Sequence, residues 1–343
     1  MPFPAWIGRT IKHVAFGKTL LPQEFSLGMP DPQTEITVWL QGPGIRRDVT
    51  SHLSTACAEP LTLCIGVDAG SRLIEKERAS LTLIFSERDG RQRVLGKIGL
   101  EHKRTVAAAH ADLHFFEPRS STNLCLPGMR TAMHYLLHAY RHRKRDNTQG
   151  IQMTFLERRA SMVTFIRPHP IFLVSVGDRS NGNIFPMNLC GNLGNGYFGF
   201  ALRTERVAGS LIVRAGRAAL SNVPEAQGYL AYRMAAHHKL ESVDWAQLPF
   251  ATKTSKALSI PIPDFAQRVR EVVVESSFPI GSHRFFLARI IEDERFTEGP
   301  AFCSIHGFYQ FRRLKEKEQR DQELACSLAG DAFHKRERHP AKP

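Results

Sequence analysis

The residues best placed to do chemistry gather in one stretch, Pro170 to Arg206, which reads PIFLVSVGDRSNGNIFPMNLCGNLGNGYFGFALRTER. Arg203 and Arg206 flank Thr204, a residue type suited to capping a helix. The apolar stripe Val207, Leu211 and Ala215 and the terminator Gly216 mark the helix that follows. Positive side chains in a first turn oppose the helix dipole, at a cost of a few tenths to about 1 kcal/mol. The placement becomes favourable when an anion sits between the free N–H groups and the guanidiniums. Two solvated arginines offset by Glu205 are the plainer account of the same residues. Just upstream, Asn183, Pro186, Met187, Asn188 and Leu189 form an Asn-x-x-Pro-x-Asn strand edge. Pro186 removes a backbone donor, and asparagine amides offer donors and acceptors to the rim of a flat heterocycle. A kinked barrel strand would carry the same residues.

Other constellations point to less. Gly191-Asn192-Leu193-Gly194-Asn195-Gly196 has the reverse of the dinucleotide-fingerprint spacing, and Tyr197–Leu202 after it alternates like a strand. It reads as a turn. His134, His138 and His142 recur at helical spacing, lack a carboxylate and run into Arg141–Arg145. A solvated basic face is expected there, with no metal. His237-His238 could line the mouth of a site. The sequence holds no Gly-x-Ser-x-Gly, Gly-x-x-x-x-Gly-Lys-Ser/Thr or His-Glu-x-x-His, so hydrolase, P-loop and zincin chemistry have no support.

The elements that must position these residues are mostly strands. Residues 1–35, rich in Pro and Gly, suggest an extended arm. Ile36–Leu40, Leu61–Val67, Ser80–Ser86 and Asp112–Phe116 are short β-branched or aromatic runs, with Asp89-Gly90 as a hairpin turn. Met129–Tyr140 has helical spacing and ends in the basic run and the polar stretch Asp146–Gly150. Strands are expected again at Ile171–Val176, Asn183–Leu189, Tyr197–Leu202, Ala218–Val223, Glu271–Phe278, His283–Ile291 and Phe302–Phe311. The fold class is α+β, mainly β: an arm (1–35), a β-rich domain ending in a basic helix (36–150), a closed antiparallel barrel (151–312) and a charged tail (313–343). The second half is expected to fold by itself.

At 343 residues, with 42% hydrophobic and 23% charged, the chain has room for two globular cores. No apolar run is long enough for a membrane span, and the N-terminus lacks the uninterrupted apolar core of a secretory signal. Six scattered cysteines without a C-x-x-C pair read as reduced, buried thiols in a cytoplasmic protein. The net charge of +13 is spread along the chain, dense only at Arg141–Arg145. It suits phosphate-bearing ligands, and nucleic acid is not an expected partner.

The order of motifs then becomes specific. The Asn183–Leu189 loop, a strand, the Arg203–Arg206 helix start, Ser221-Asn222-Val223-Pro224, and Gly281-Ser282-His283 opening a long strand follow one another. Over about residues 164–314 this resembles the flavin reductase-like, FMN-binding split β-barrel family. The resemblance implies FMN, or FAD in its place, held by Asn183, Pro186, Met187, Asn188, Leu189, Arg203, Thr204, Arg206, Ser221 and Asn222. It implies a homodimer with the flavin at its interface, NAD(P)H as electron donor and an unassigned electron acceptor. His283 would be catalytic, hydrogen-bonding a cofactor carbonyl or relaying a proton; a histidine that only steadies the turn is the alternative. Cys190 stands where the family often has a small hydroxyl residue, Gly228–Ala257 has no counterpart, and residues 1–150 match nothing in it. The implied function is NAD(P)H:flavin oxidoreduction. The alternative is a non-catalytic flavin-binding or sensing module whose N-terminal domain contacts a macromolecule.

Overall fold

In the computed structural model, which describes residues 24–29, 35–70, 80–88, 92–144, 153–317 and 325–326, the alternating runs assemble into two seven-stranded antiparallel sheets. After β1 (Glu24–Met29), the first sheet is built from β2 (Ile36–Gly42), β3 (Ile45–Asp48), β4 (Leu53–Ala58), β5 (Leu61–Asp68), β6 (Thr82–Glu87), β7 (Val94–Ala107) and β8 (Ala111–Asn123). After β9 (His169–Pro170), the second uses β10 (Phe172–Gly177), β11 (Gly182–Met187), β12 (Cys190–Gly194), β13 (Tyr197–Arg203) and β14 (Arg217–Asn222). A small hairpin, β15 (Thr252–Thr254) and β16 (Pro261–Pro263), precedes the last two members, β17 (Arg268–Ile280) and β18 (His283–Arg295). The Asp89-Gly90 turn, the polar stretch 146–150 and most of the expected arm lie outside the described residues.

The two sheets follow one path. Across the first the order is β3-β2-β6-β7-β8-β5-β4, and across the second β11-β10-β14-β17-β18-β13-β12. Numbered from its own first strand, each sheet reads 2-1-5-6-7-4-3. Each is dominated by a long hairpin, β7–β8 with strands of 14 and 13 residues and β17–β18 with 13 and 13. Residues 36–123, for which the sequence offered no counterpart, therefore repeat the topology of residues 172–295.

Among the described residues neither sheet is closed by a hydrogen-bonded seam, so the closed barrel expected over 151–312 is corrected to an open one. In the second, β11 and β12 are the ends, although they follow one another in sequence. Pro186 cannot donate from β11, and the segment Met234–Lys239 lies against that strand instead. The interior is filled by Phe172, Val174, Phe185, Phe198, Phe200, Leu220 and Phe286, with Ala208, Leu211 and Ile212 from the helix Val207–Ala215 as a plug.

The halves share apolar cores. Ala56, Cys64, Leu113 and Phe115 of the first sheet pack with Leu193, Tyr197, Ala201, Phe285 and Leu287 of the second. Backbones meet there: a Cβ on Gly66 would stand 2.0 Å from the Leu193 carbonyl oxygen, and one on Gly191 2.1 Å from that of Leu53. Ser54 Oγ donates to Gly199 O at 2.9 Å. The buried Arg167 guanidinium donates to Thr50 O at 2.6 Å and Leu53 O at 3.0 Å. A fragment holding the second half alone would expose its side of this shared core to water.

Parts of the C-terminal region also complete the first core. The helix Phe155–Thr164, started by a capping box in which Thr154 and Glu157 bond each other's backbone, contributes Ala160, Met162 and Val163. Cys303 and Ile305 of β19 (Ala301–His306), and Phe308 and Tyr309 of the helix Gly307–Lys317, join the same cluster. The strand expected over Phe302–Phe311 thus ends at His306. Within the expected arm, β1 pairs with β19, and β20 (Ala325–Cys326) pairs with β1. Arg313, placed at the start of the charged tail, is buried and holds Glu35 through two bonds of 2.8 Å, and Tyr309 Oη adds a third at 2.8 Å. No helix among the described residues is long and apolar enough to cross a membrane.

Gly66→Ala and Gly191→Ala should each lower stability by about 1–3 kcal/mol, the cost of forcing extra volume into a packed contact. Gly128→Ala, whose Cβ meets nothing within 4 Å, serves as the control and should be near neutral. Urea midpoints of the three variants check this, and equal midpoints would show that the halves do not meet through these backbones.

Candidate functional site

Strand β13 delivers Arg203 to a corner of the second sheet, opposite His283 at the start of β18. The chain then turns. Thr204 N–H donates to Ser282 O at 3.0 Å, and Arg206 N–H returns to Arg203 O at 3.0 Å. This turn delays the helix: its N-cap is Arg206, without a side-chain cap bond, and not Thr204 as the sequence suggested. Thr204 is exposed. Gly216 ends the helix in the left-handed region, at φ 64°, as read.

The first half completes the corner. Glu59 O accepts from Ser282 N–H at 2.8 Å, and Glu59 Oε2 lies 3.6 Å from Arg203 Nη2. Cys57 Sγ approaches His283 Nδ1 at 3.5 Å, and Ser282 Oγ is 2.8 Å from the same nitrogen. Burial, helped by the Arg203 charge, lowers the His283 pKa to about 4, while burial raises that of the Cys57 thiol. The pair is a neutral imidazole beside a neutral thiol at pH 7. It can donate and accept hydrogen bonds, but this imidazole is a weak base. Sequence reading missed Cys57 and Glu59, which lie far upstream and carry no motif.

Around β11 the geometry departs from expectation. Asn183 is buried, its amide donating to His237 O at 3.0 Å and Leu240 O at 2.7 Å. His237 Nδ1 meets Ile184 O at 2.9 Å, and His238 Nε2 meets Pro186 O at 2.8 Å. The Ile184 and Pro186 carbonyls of this strand edge are thus engaged by the histidine pair. Burial holds His238 at a pKa of about 4, with the Arg206 charge also lowering it. Met187 packs into the interior, Asn188 O lies 3.4 Å from His169 Nδ1, and Leu189 O accepts from Ala201 N–H at 2.9 Å.

The sheet register does not bring Ser221 and Asn222 to the Arg203–His283 corner. Ser221 pairs with Val269 near one end of β17, whereas His283 pairs with Ile280 at the other. By alternation Ser221 shares the face of Ala219, which packs under Ile260 and Ile262. Of the turn expected over Gly191–Gly196, Gly191–Leu193 belongs to β12 and the hairpin turn is Gly194-Asn195-Gly196, all three at positive φ. His134 is corrected: it is buried, its ring 5.0 Å from that of Phe308, while the side chains of His138 and His142 lie outside the described residues. Among the described residues no group of three or more His, Cys, Asp or Glu is placed to hold a metal ion.

Two buried histidines, His169 and His283, and the half-buried His238 give a pH prediction. His169 is held near a pKa of about 3, and His238 and His283 near about 4, each chiefly by burial. Unfolded, each titrates near about 6.5, so below that pH the unfolded chain binds more protons and stability falls. The loss should begin below about pH 6.5 and continue toward 4, at up to about 1.4 kcal/mol per pH unit for each histidine. Urea midpoints at pH 7.5, 6 and 5 measure it; a flat profile would contradict the burial.

No protein-family model matches the chain, and no curated protein matches it. Among solved structures it is similar in part to an FMN-binding protein from Thermus thermophilus with bound 1-cyclohex-2-enone, at 22% identity, covering 37% of this chain and 71% of that one, TM-score 0.34. It is also similar to the NADH:FAD oxidoreductase SgcE6 of Streptomyces globisporus C-1027, at 17% identity over 44% of this chain and 88% of that one, TM-score 0.38. The styrene monooxygenase flavin reductase of Pseudomonas putida S12 gives 18% identity over 42% and 90% of the two chains, TM-score 0.35. Each of these likenesses spans less than half of this chain.

Proposed function

We propose that the chain binds a flavin mononucleotide-type cofactor and uses it for NAD(P)H-dependent oxidoreduction. The observation that carries this is the start of the helix Val207–Ala215: no side chain caps it, its N-cap is Arg206, and Arg203 stands three residues before. A helix start whose N-cap is an arginine, with a second arginine three residues before it, favours a phosphate dianion as ligand of this turn. Arg206 at the helix start and Arg203 of the same turn, which also faces Glu59, would hold the phosphate, with Thr204 exposed between them. A bound flavin supplies hydride acceptance from a reduced nicotinamide. The chain's part is to fix that ligand's position and to present a neutral His283 that hydrogen-bonds without changing charge near pH 7.

A second reading, a flavin-binding module without catalysis, is favoured by one feature. His237 and His238 already occupy the Ile184 and Pro186 carbonyls of β11, on the strand edge that the resemblance gives to the flavin. The two readings separate on mixing the flavin-loaded protein anaerobically with NADH or NADPH. Loss of flavin colour supports oxidoreduction; retained colour with tight FMN binding supports the module.

Arg203→Ala/Arg206→Ala should weaken FMN binding while riboflavin, which lacks the phosphate, is bound nearly as before. Each lost charge-assisted bond is worth about 1.5–3 kcal/mol. Parallel titrations measure this, and equal losses for both ligands would remove these arginines from the phosphate site. His283→Ala should keep most of the flavin affinity yet slow reduction by NAD(P)H in stopped flow; an unchanged rate would leave His283 as a support for its turn.

A further inference from the structure

The helix Gly128–Lys144, which follows β8, lies with its sides exchanged. Met129, Ala132, Met133 and Leu136 fall within one arc of about 100° around its axis, and Thr131, His134 and Tyr135 fall on the opposite side. The side that carries polar atoms is the buried one. Thr131 Oγ1 donates to Pro127 O at 3.2 Å, and the rings of His134 and Tyr135 lie 5.0 and 6.0 Å from that of Phe308. The apolar side faces water: Met129 is 81% exposed, Leu136 71%, and Ala132 is exposed between them. Phe155 extends this face from the start of the next helix. It is 53% exposed, with its ring 6.2 Å from that of Tyr135 and the Arg159 guanidinium 5.6 Å from it. Single apolar residues are ordinary on a surface; a row of them backed by buried polar groups marks a surface made for contact.

Charge selects the occupant. The last turn of the helix enters Arg141-His142-Arg143-Lys144-Arg145, the densest basic run of a chain whose net charge is +13. A second copy of the chain would bring the same run and the same net charge to the contact, and like charges repel. An anionic bilayer meets both demands at once. Its acyl boundary takes apolar side chains from a helix lying in the plane, and its phosphates attract the basic residues beside them.

We propose that the helix Gly128–Lys144, with Phe155 beside it, docks this chain on an anionic lipid surface. Met129, Leu136 and Phe155 enter the boundary between headgroups and acyl chains, and the basic run at the end of the helix supplies the charge. The contact is peripheral, made by one face of a helix whose other face stays in the protein core.

The test is co-sedimentation of the full-length protein with vesicles of phosphatidylcholine alone and of phosphatidylcholine and phosphatidylserine in equal parts. Sedimentation with the phosphatidylserine vesicles only is expected, with release at about 1 M salt, where the screening length falls to about 3 Å. Met129→Gln/Leu136→Gln places good helix formers at positions already in water. Its urea midpoint should match the wild type while its vesicle affinity falls about tenfold or more, the scale of two apolar side chains left in water. Arg141→Gln/Arg143→Gln should weaken binding to the phosphatidylserine vesicles. No sedimentation with either vesicle, equal sedimentation with both, or either variant binding like the wild type would overturn the proposal. So would a chain that is dimeric in sedimentation velocity, becomes monomeric with Met129→Gln/Leu136→Gln and binds no vesicles, since the face would then join two copies.

Discussion

The structure depends on a contact in which main chain meets main chain. Where β12 and β13 lie on β4 and β5, Gly66 and Gly191 let carbonyl oxygens of the opposite half come within the space of a methyl group. Such proximity leaves the interface little room to slide, because interiors are packed as densely as organic crystals. Arg167 adds a directional tie, donating to the carbonyls of Thr50 and Leu53. Burying a guanidinium is costly unless its donors are met, so this cation keeps the start of β4 in one position.

That position carries through to the candidate site. Residues leaving β4 reach Cys57 and Glu59, and β13 and β18, fixed against the same core, bring Arg203 and His283 to meet them. No single element builds the corner. Burial then sets its charge: the histidine and the cysteine are neutral at pH 7, leaving Arg203 facing the carboxylate of Glu59. The elements are ordinary strands and turns, and their chemistry arises from the docking of one half on the other.

Local signals were legible in the sequence wherever local physics decided the outcome. The alternation in Tyr197–Leu202, the short β-type run Leu61–Val67, the Gly216 terminator and the Asn195-Gly196 turn all encode what the backbone does. Arg203, Arg206 and His283 were legible as candidates because their charge or titration stands out beside a turn. The N-cap was misplaced because the Thr204 N–H is taken by Ser282, a residue that no local pattern places nearby. The repeat was hidden for a related reason. Strand order is set by long-range pairing, and the two copies fill equivalent positions with different side chains, as at Arg203 and Asp68. The clasp of His237 and His238 on β11 has the same origin, since backbone carbonyls leave no trace in a sequence.

The tie between Glu35 and Arg313 has a consequence for how the chain is made. The first half cannot finish its core until Cys303, Ile305, Phe308 and Tyr309 arrive, and Arg313 then locks the helix that carries two of them. A ribosome adding about 5–20 residues per second needs on the order of ten to forty seconds to go from the end of β8 to Arg313. Through that interval the nascent first sheet carries apolar positions that its final neighbours have yet to cover. Such exposure is what chaperones meet in growing chains. The N-terminal half emerges first and is completed last.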